Sequence, residues 1–278
     1  MLESVGSIMP RIAVITDLHW PSVTERSGSV RHGDQALLIL DEFFRAAKNE
    51  HADLTVNLGD TIASCCTLND RQSIHKKLID SPVPLYNIAG NNEFKANSGN
   101  GFPDVTGLLA ESESLDIGGL HLVFFRPSVD VVNLALPDIS EDLKWLSSDL
   151  EQTQCPTVIF SHVPLFRPHC DLGYSENLPP PDSLLFYPNQ EELRETIQAH
   201  PNVVGLVSGH LHRDVLEVDE EACFCLCVQS ATQGGKSGPD RAFGIIDFNL
   251  QEASVTISRH GKNGYTQTLS LRAPSLVL

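Results

Sequence analysis

Residues 11–19, RIAVITDLH, begin as an apolar run and end in two groups able to hold a cation, Asp17 and His19. Four apolar residues in succession, Ile12 to Ile15, fit a short strand buried on both faces, and its polar end then lies at the edge of a sheet. The pattern returns in DLTVNLGD (53–60), PLYNIAGNNE (84–93), PTVIFSH (156–162) and NVVGLVSGHLH (202–212). Helical patterns separate these strands. Asp34 to Asn49 carries Leu37, Leu40, Phe44 and Ala47 on one face, and further helices are expected near Asp70 to Asp80 and from Ser140 to Gln152. A fourth begins at Asn189, where Glu192 three residues on suggests a capping box.

Strand alternating with helix implies an α/β fold. Hairpin-like strands complicate it: Leu115 to Phe125 is broken by Gly118-Gly119, and the C-terminal third offers Arg213–Val218, Ala222–Val228, Arg241–Phe248 and Ala253–Ser258. So many strands suit two mixed sheets packed face to face with helices outside better than one very wide sheet. The segments His19 to Gly33 and Arg167 to Pro188 read as surface loops lining a cleft. No interdomain linker or repeat is visible, so one domain over residues 1–278 is expected.

The chain has 19 Lys plus Arg against 36 Asp plus Glu, a formal charge of −17. Such a field repels nucleic-acid polymers and anionic membrane surfaces, and a bound cation is what would invert it locally for a phosphate ester. The N-terminal MLESVGSIMPR has no basic region followed by a signal-length apolar run, and no stretch reaches the length of a membrane span, which predicts a cytoplasmic protein. Seven cysteines, an odd number, do not form a secreted disulfide pattern. Cys223, Cys225 and Cys227 share one face of a strand and are read as packing groups.

Each strand-end cluster alone is a weak signal. Together, Asp17 and His19, Asp60 after Gly59, Asn91 after Gly90, His162, and the pair His210 and His212 supply the carboxylate, imidazole and amide donors of a cysteine-free metal site. The order D-x-H, G-D, G-N-x-[DE], H, G-H-x-H resembles the calcineurin-like metallophosphoesterase superfamily over about Arg11 to Arg213. The resemblance implies a four-layer α/β/β/α sandwich and two divalent or mixed-valence transition metal ions, drawn from Mn, Fe or Zn. It implies that Asp17, His19, Asp60 and His212 hold one ion and that Asp60, Asn91, His162 and His210 hold the second, with a metal-bridging hydroxide as the nucleophile.

The third block departs from the superfamily pattern. It reads Gly90-Asn91-Asn92-Glu93 where G-N-H-[DE] is usual, so Asn92 stands in place of the histidine that contacts phosphate and protonates the leaving oxygen. Asn91 and Asn92 remain the candidate catalytic residues, and His32 and His169 are candidates for the missing proton donor. Asn92, Lys95, Arg167 and Arg241 are the candidate substrate contacts. The expected function is hydrolysis of a small phosphodiester or phosphomonoester. The alternatives are a catalytically weakened binding scaffold on the same fold, or a protein phosphatase.

Overall fold

The computed structural model describes residues 9–26, 29–97, 108–127, 136–168, 182–219 and 223–272. Two six-stranded sheets face each other. In the first, β1 (Arg11–Ile15) is parallel to β4 (Leu54–Asn57), which is parallel to β5 (Leu85–Asn87). Beyond β1 lie β14 (Phe243–Asn249), β15 (Ser254–His260) and β16 (Tyr265–Ser270), joined antiparallel. In the second, β7 (Leu120–Phe125), β8 (Thr157–Ser161), β9 (Val203–Ser208) and β11 (Phe224–Cys227) are parallel neighbours. Its antiparallel edges are β6 (Glu113–Ile117) and β10 (Val215–Val218).

Alternation along each strand divides the apolar side chains between two interfaces. Ile12 and Val14 of β1, Phe124 of β7, Phe160 of β8 and Phe248 of β14 fill the core between the sheets. Ala13, Ile15, Phe243 and Ile245 face outward onto α1 (Ala36–Asn49) and α2 (Leu68–Ile79). Val123, Phe125 and Ile159 face the other way onto α4 (Ser140–Leu150) and α6 (Gln190–Ala199). The layers are therefore the α/β/β/α sandwich that the sequence implied. The alternating face of β11 behaves as expected, with Cys223 and Cys225 in the outer cluster and Phe224, Leu226 and Val228 in the inner one.

Three local expectations change. Helix α1 buries Ala36, Ile39, Leu40, Phe43, Phe44 and Ala47, so its core face is wider than the predicted stripe and leaves Leu37 at the margin. Asn189 makes no capping hydrogen bond to α6; its Oδ1 accepts from the Ile139 N–H at 2.9 Å, tying α6 to the start of α4. The segment after His19 is strand rather than loop: β2 (Val23–Arg26) and β3 (Ser29–His32) pair, and β3 joins β12 (Gln233–Gly235) and β13 (Gly238–Pro239) in a small four-stranded sheet. Of the second predicted loop, residues 169–181 lie outside the described residues, and α5 (Asp182–Leu185) follows them. Helix α3 (Asn91–Asn97), starting inside the third cluster, went unpredicted. No helix among the described residues is long and apolar enough to cross a membrane.

His121 on β7 is a buried polar anchor between the second sheet and α4. Its Nε2 lies 2.9 Å from Asp149 Oδ2 and its Nδ1 2.7 Å from Asp116 Oδ1. Burial lowers its pKa, but the hydrogen bonds to Asp149 and Asp116 outweigh burial, and the net shift is upward. The contribution to stability is thus complete below the unfolded-state value of about 6.5 and fades as pH rises through the raised native value. In urea unfolding from pH 5.5 to 9, wild type should lose roughly 1–3 kcal/mol relative to His121→Gln; a gap that widens in favour of wild type at high pH contradicts the pairing.

Candidate metal centre

Parallel neighbours end on the same edge, so the exits of β1, β4 and β5 lie together, as do those of β8 and β9. Backbone hydrogen bonds extend the register past the strands: Asp17 N–H donates to Gly59 O at 2.9 Å and His19 N–H to Asp60 O at 2.8 Å. On the second sheet Gly209 N–H donates to His162 O at 3.0 Å. The first sheet contributes Asp17, His19, Asp60 and Asn91, and the second contributes His162, His210 and His212.

The seven expected ligand residues form two adjoining groups around Asp60. On one side, His19 Nε2 is 2.9 Å from His212 Nε2, and Asp17 Oδ1 is 3.1 Å from His212 Nε2 and 3.5 Å from His19 Nε2. On the other, His162 Nε2 is 3.1 Å from Asn91 Oδ1 and 3.2 Å from His210 Nδ1. Asp60 divides its oxygens between them, Oδ2 at 3.7 Å from His19 Nε2 and Oδ1 at 3.5 Å from His162 Nε2.

Outward contacts aim three of the imidazoles. His162 Nδ1 meets Leu58 O at 3.0 Å, His210 Nε2 meets Leu184 O at 2.8 Å, and His212 Nδ1 meets Gln233 Oε1 at 3.2 Å. Each acceptor holds the proton on the outer nitrogen, leaving the inner one as a lone-pair donor. Asp17 is aimed in the same way, since its Oδ2 accepts from Thr16 Oγ1 at 2.7 Å and His210 N–H at 2.8 Å. Asp17 Oδ1 is left buried without a hydrogen-bond donor.

The protonation states match. Burial lowers the pKa of both His19 and His210 to about 4, so both are neutral near pH 7. Burial pushes Asp17 and Asp60 upward, yet His212 and His19 beside Asp17, and His162 and His19 beside Asp60, bring both net below the usual carboxylate range. Ionised carboxylates, the neutral imidazoles of His19 and His210 and an orphaned carboxylate oxygen are among the donors a divalent transition ion takes. Asp17, His19 and His212 form one group able to hold an ion, and Asp17, Asp60 and His162 another.

The backbone is strained at these positions. Asp17, His19, Asp60, His210 and His212 all have positive φ, between 49° and 69°, a region costing of order 1–3 kcal/mol for a non-glycine residue. The glycines that precede two of the clusters answer to crowding. A Cβ on Gly90 would stand 2.3 Å from Asp60 Oδ1, and one on Gly209 2.0 Å from Thr16 Oγ1 and 2.8 Å from Asp17 Oδ2.

Glu93, the fourth residue of the Gly90 block, is a support the sequence did not expose. Its carboxylate accepts from the N–H groups of Gly90 (2.7 Å), Asp60 (2.9 Å) and Ile62 (3.0 Å). Burial and the Asp60 charge raise its pKa to about 8 against the pull of those donors. Asn92 also acts on Asp60: its N–H donates to Oδ1 at 2.7 Å and its side-chain amide to Oδ2.

The other candidates fall elsewhere. His32 Nε2 lies 2.9 Å from Gly235 O, stitching β3 to β12. Arg241 turns to Glu42 and Gln35 on the α1 side of the first sheet. Arg167 stacks 4.9 Å from the ring centre of Phe186. His169 and the Lys95 side chain lie outside the described residues.

The family profile described as calcineurin-like phosphoesterase matches residues 10–214. The chain belongs to that family. Membership supports metal-dependent phosphoester hydrolysis as its general activity. Among solved structures, a dimetal phosphatase from Danio rerio superposes with a TM-score of 0.71 at 14% identity, covering 95% of this chain and 99% of that one. The anchor protein of the Plasmodium inner membrane complex gives 0.60 at 16% identity, covering 96% and 90%. A purple acid phosphatase from yellow lupin (Lupinus luteus) seeds gives 0.60 at 12%, covering 95% and 54%. At these identities the likeness is one of fold. A search of curated protein sequences returns no match.

The crowding makes a prediction about this calcineurin-like phosphoesterase. Gly209→Ala should displace Asp17 and lower both the melting temperature and the metal content, by overpacking worth about 1–3 kcal/mol. Gly235→Ala, where a Cβ meets nothing within 4 Å, should change neither. Full metal loading in Gly209→Ala, read by elemental analysis, counts against the close packing described.

Proposed function

We infer that the chain hydrolyses small phosphodiesters or phosphomonoesters at a two-metal centre shared through Asp60. The observation that carries this is the division of the Asp60 oxygens between His19 and His162. Asp17, His19, Asp60 and His212 would hold one ion, and Asp60, Asn91, His162 and His210 the other, with manganese, iron or zinc matching the donors. Bound there, two such ions supply an activated water and positive charge for the phosphoryl oxygens. The formal charge of −17 favours a small ester over a nucleic-acid polymer.

The chain's own residues set the limits of the reaction. Asp60 is held by Asn92 from above and, through its backbone N–H, by Glu93 from behind, so it needs little reorganisation. Asn92 has no proton to transfer at any accessible pH. With asparagine in the place of a general acid, the leaving oxygen departs on its own stability, and aryl esters should be cleaved far faster than alkyl esters.

The test is a series of aryl and alkyl phosphate mono- and diesters, assayed with Mn²⁺, Zn²⁺ or Fe²⁺ on wild type, Asp60→Ala and Asn92→His. Wild type should show a steep dependence on leaving-group pKa, Asp60→Ala should fall to background, and Asn92→His should raise the alkyl-ester rate by about tenfold or more by restoring a proton donor. If wild type cleaves no ester with any metal, the hydrolase reading gives way to a binding scaffold. Equal rates on aryl and alkyl esters refute the role given to Asn92.

A further inference from the structure

Against His212 lies a cavity of about 240 Å³, walled by Ser29, Arg213, Asp214, Gln229, Gln233 and Asp240, with Gly234 and Gly235 completing the lining. It is smaller than the roughly 300–1,000 Å³ of sites for drug-sized ligands. Its composition differs from most ligand sites: among the described residues, the wall has no aromatic ring apart from the His212 imidazole, and no aliphatic side chain. A nucleobase or aryl group would find no apolar face to stack on there.

The polar groups are held in place. Asp214 takes Arg259 Nε at 2.8 Å and the Tyr265 hydroxyl at 3.2 Å. Arg259, itself 6% exposed, donates to Gln229 Oε1 at 2.7 Å, and Gln229 Nε2 donates to Asp240 Oδ2 at 2.6 Å. Gln233 joins the cavity to the metal centre, since its Oε1 meets His212 Nδ1 and its amide donates to Ser29 Oγ. Asp214 is offset by Arg259, which lies behind the wall, so the lining is left with one guanidinium, Arg213, and one carboxylate, Asp240. A wall whose charges offset one another and that presents fixed donors and acceptors suits an uncharged, hydroxyl-rich group.

We propose that this cavity is a subsite for a small neutral polyol, of glycerol to sugar size, esterified to the phosphate at the metal centre. The proposal rests on the hydrolase function inferred above and gives it a substrate class: phosphodiesters whose retained arm is a polyol rather than an aromatic alcohol or a nucleoside, the other arm being the one that leaves.

The test uses three p-nitrophenyl phosphodiesters that share a leaving group and differ in the retained arm: glyceryl, methyl or phenyl. Wild type should prefer the glyceryl diester over the other two by about tenfold or more in kcat/KM. Ser29→Ala and Asp240→Ala should each bring the glyceryl-to-methyl ratio close to one, a ratio from which any loss of metal or folded protein cancels. A phenyl arm that matches or exceeds glyceryl, or ratios unchanged in both variants, overturns the subsite. A second arm is independent of turnover: calorimetric binding of glycerol 1-phosphate and of phenyl phosphate to manganese-loaded protein. Tighter binding of glycerol phosphate, lost in Asp240→Ala, supports the subsite even where no diester is cleaved, and that result would locate the failure in the hydrolase reading. Equal affinities for the two ligands overturn it.

Discussion

A single buried carboxylate, Asp60, joins the two halves of the molecule: one oxygen faces His19 from the first sheet and the other His162 from the second. Most of the local structure serves to hold it there. Glu93 takes its backbone N–H, Asn92 donates to both of its oxygens, and Gly90 leaves room beside it. The strand exits are strained to do this, with five of the candidate ligand residues at positive φ. Such conformations persist only where the surroundings over-determine them. Here they are bounded by the cross-strand register bonds within each sheet and by the core of Phe124, Phe160, Phe224 and Phe248 between the sheets.

The sandwich delivers the candidate ligands because β1, β4 and β5 run parallel at one end of the first sheet and β7, β8, β9 and β11 run parallel through the second. In β9 the pairing shifts between Thr157 and Val158, with Val203 and Gly205 opposite consecutive residues. The extra residue reverses the alternation, so Val204 and Val207 both face the inner core. Gly205 lies so close to the Phe224 ring that a Cβ there would stand 2.2 Å from it. His210 and His212 follow from this bulged strand. The small sheet then brings Gln233 to His212 and closes the polar cavity beside it, so one residue both orients the His212 imidazole and lines the cavity.

Much of this was legible in the sequence. The strands announce themselves as apolar runs, and their polar ends carry the ligand types in family order, because both signals are local. What escaped depends on distant contacts. The segment after His19 looks like a loop, since its short β2–β3 hairpin is extended into a sheet only by Gln233 and Gly234, some two hundred residues away. Asn189 carries a capping signature, yet its side chain is drawn to the Ile139 N–H on another helix. Two of the three acceptors that aim the histidines are backbone carbonyls, of Leu58 and Leu184, which no residue type advertises. Glu93 was visible as the acidic end of the third block, but its grip on three N–H groups is a matter of three-dimensional folding.

The central claim is that Asp60 sits between two ions. The most direct measurement is anomalous X-ray scattering from a crystal of the protein loaded with manganese. Two peaks on opposite sides of the Asp60 carboxylate, roughly 4 Å apart, are predicted, one among Asp17, His19 and His212 and the other among Asn91, His162 and His210. A single peak, or ions bound away from Asp60 at saturating manganese, would contradict it.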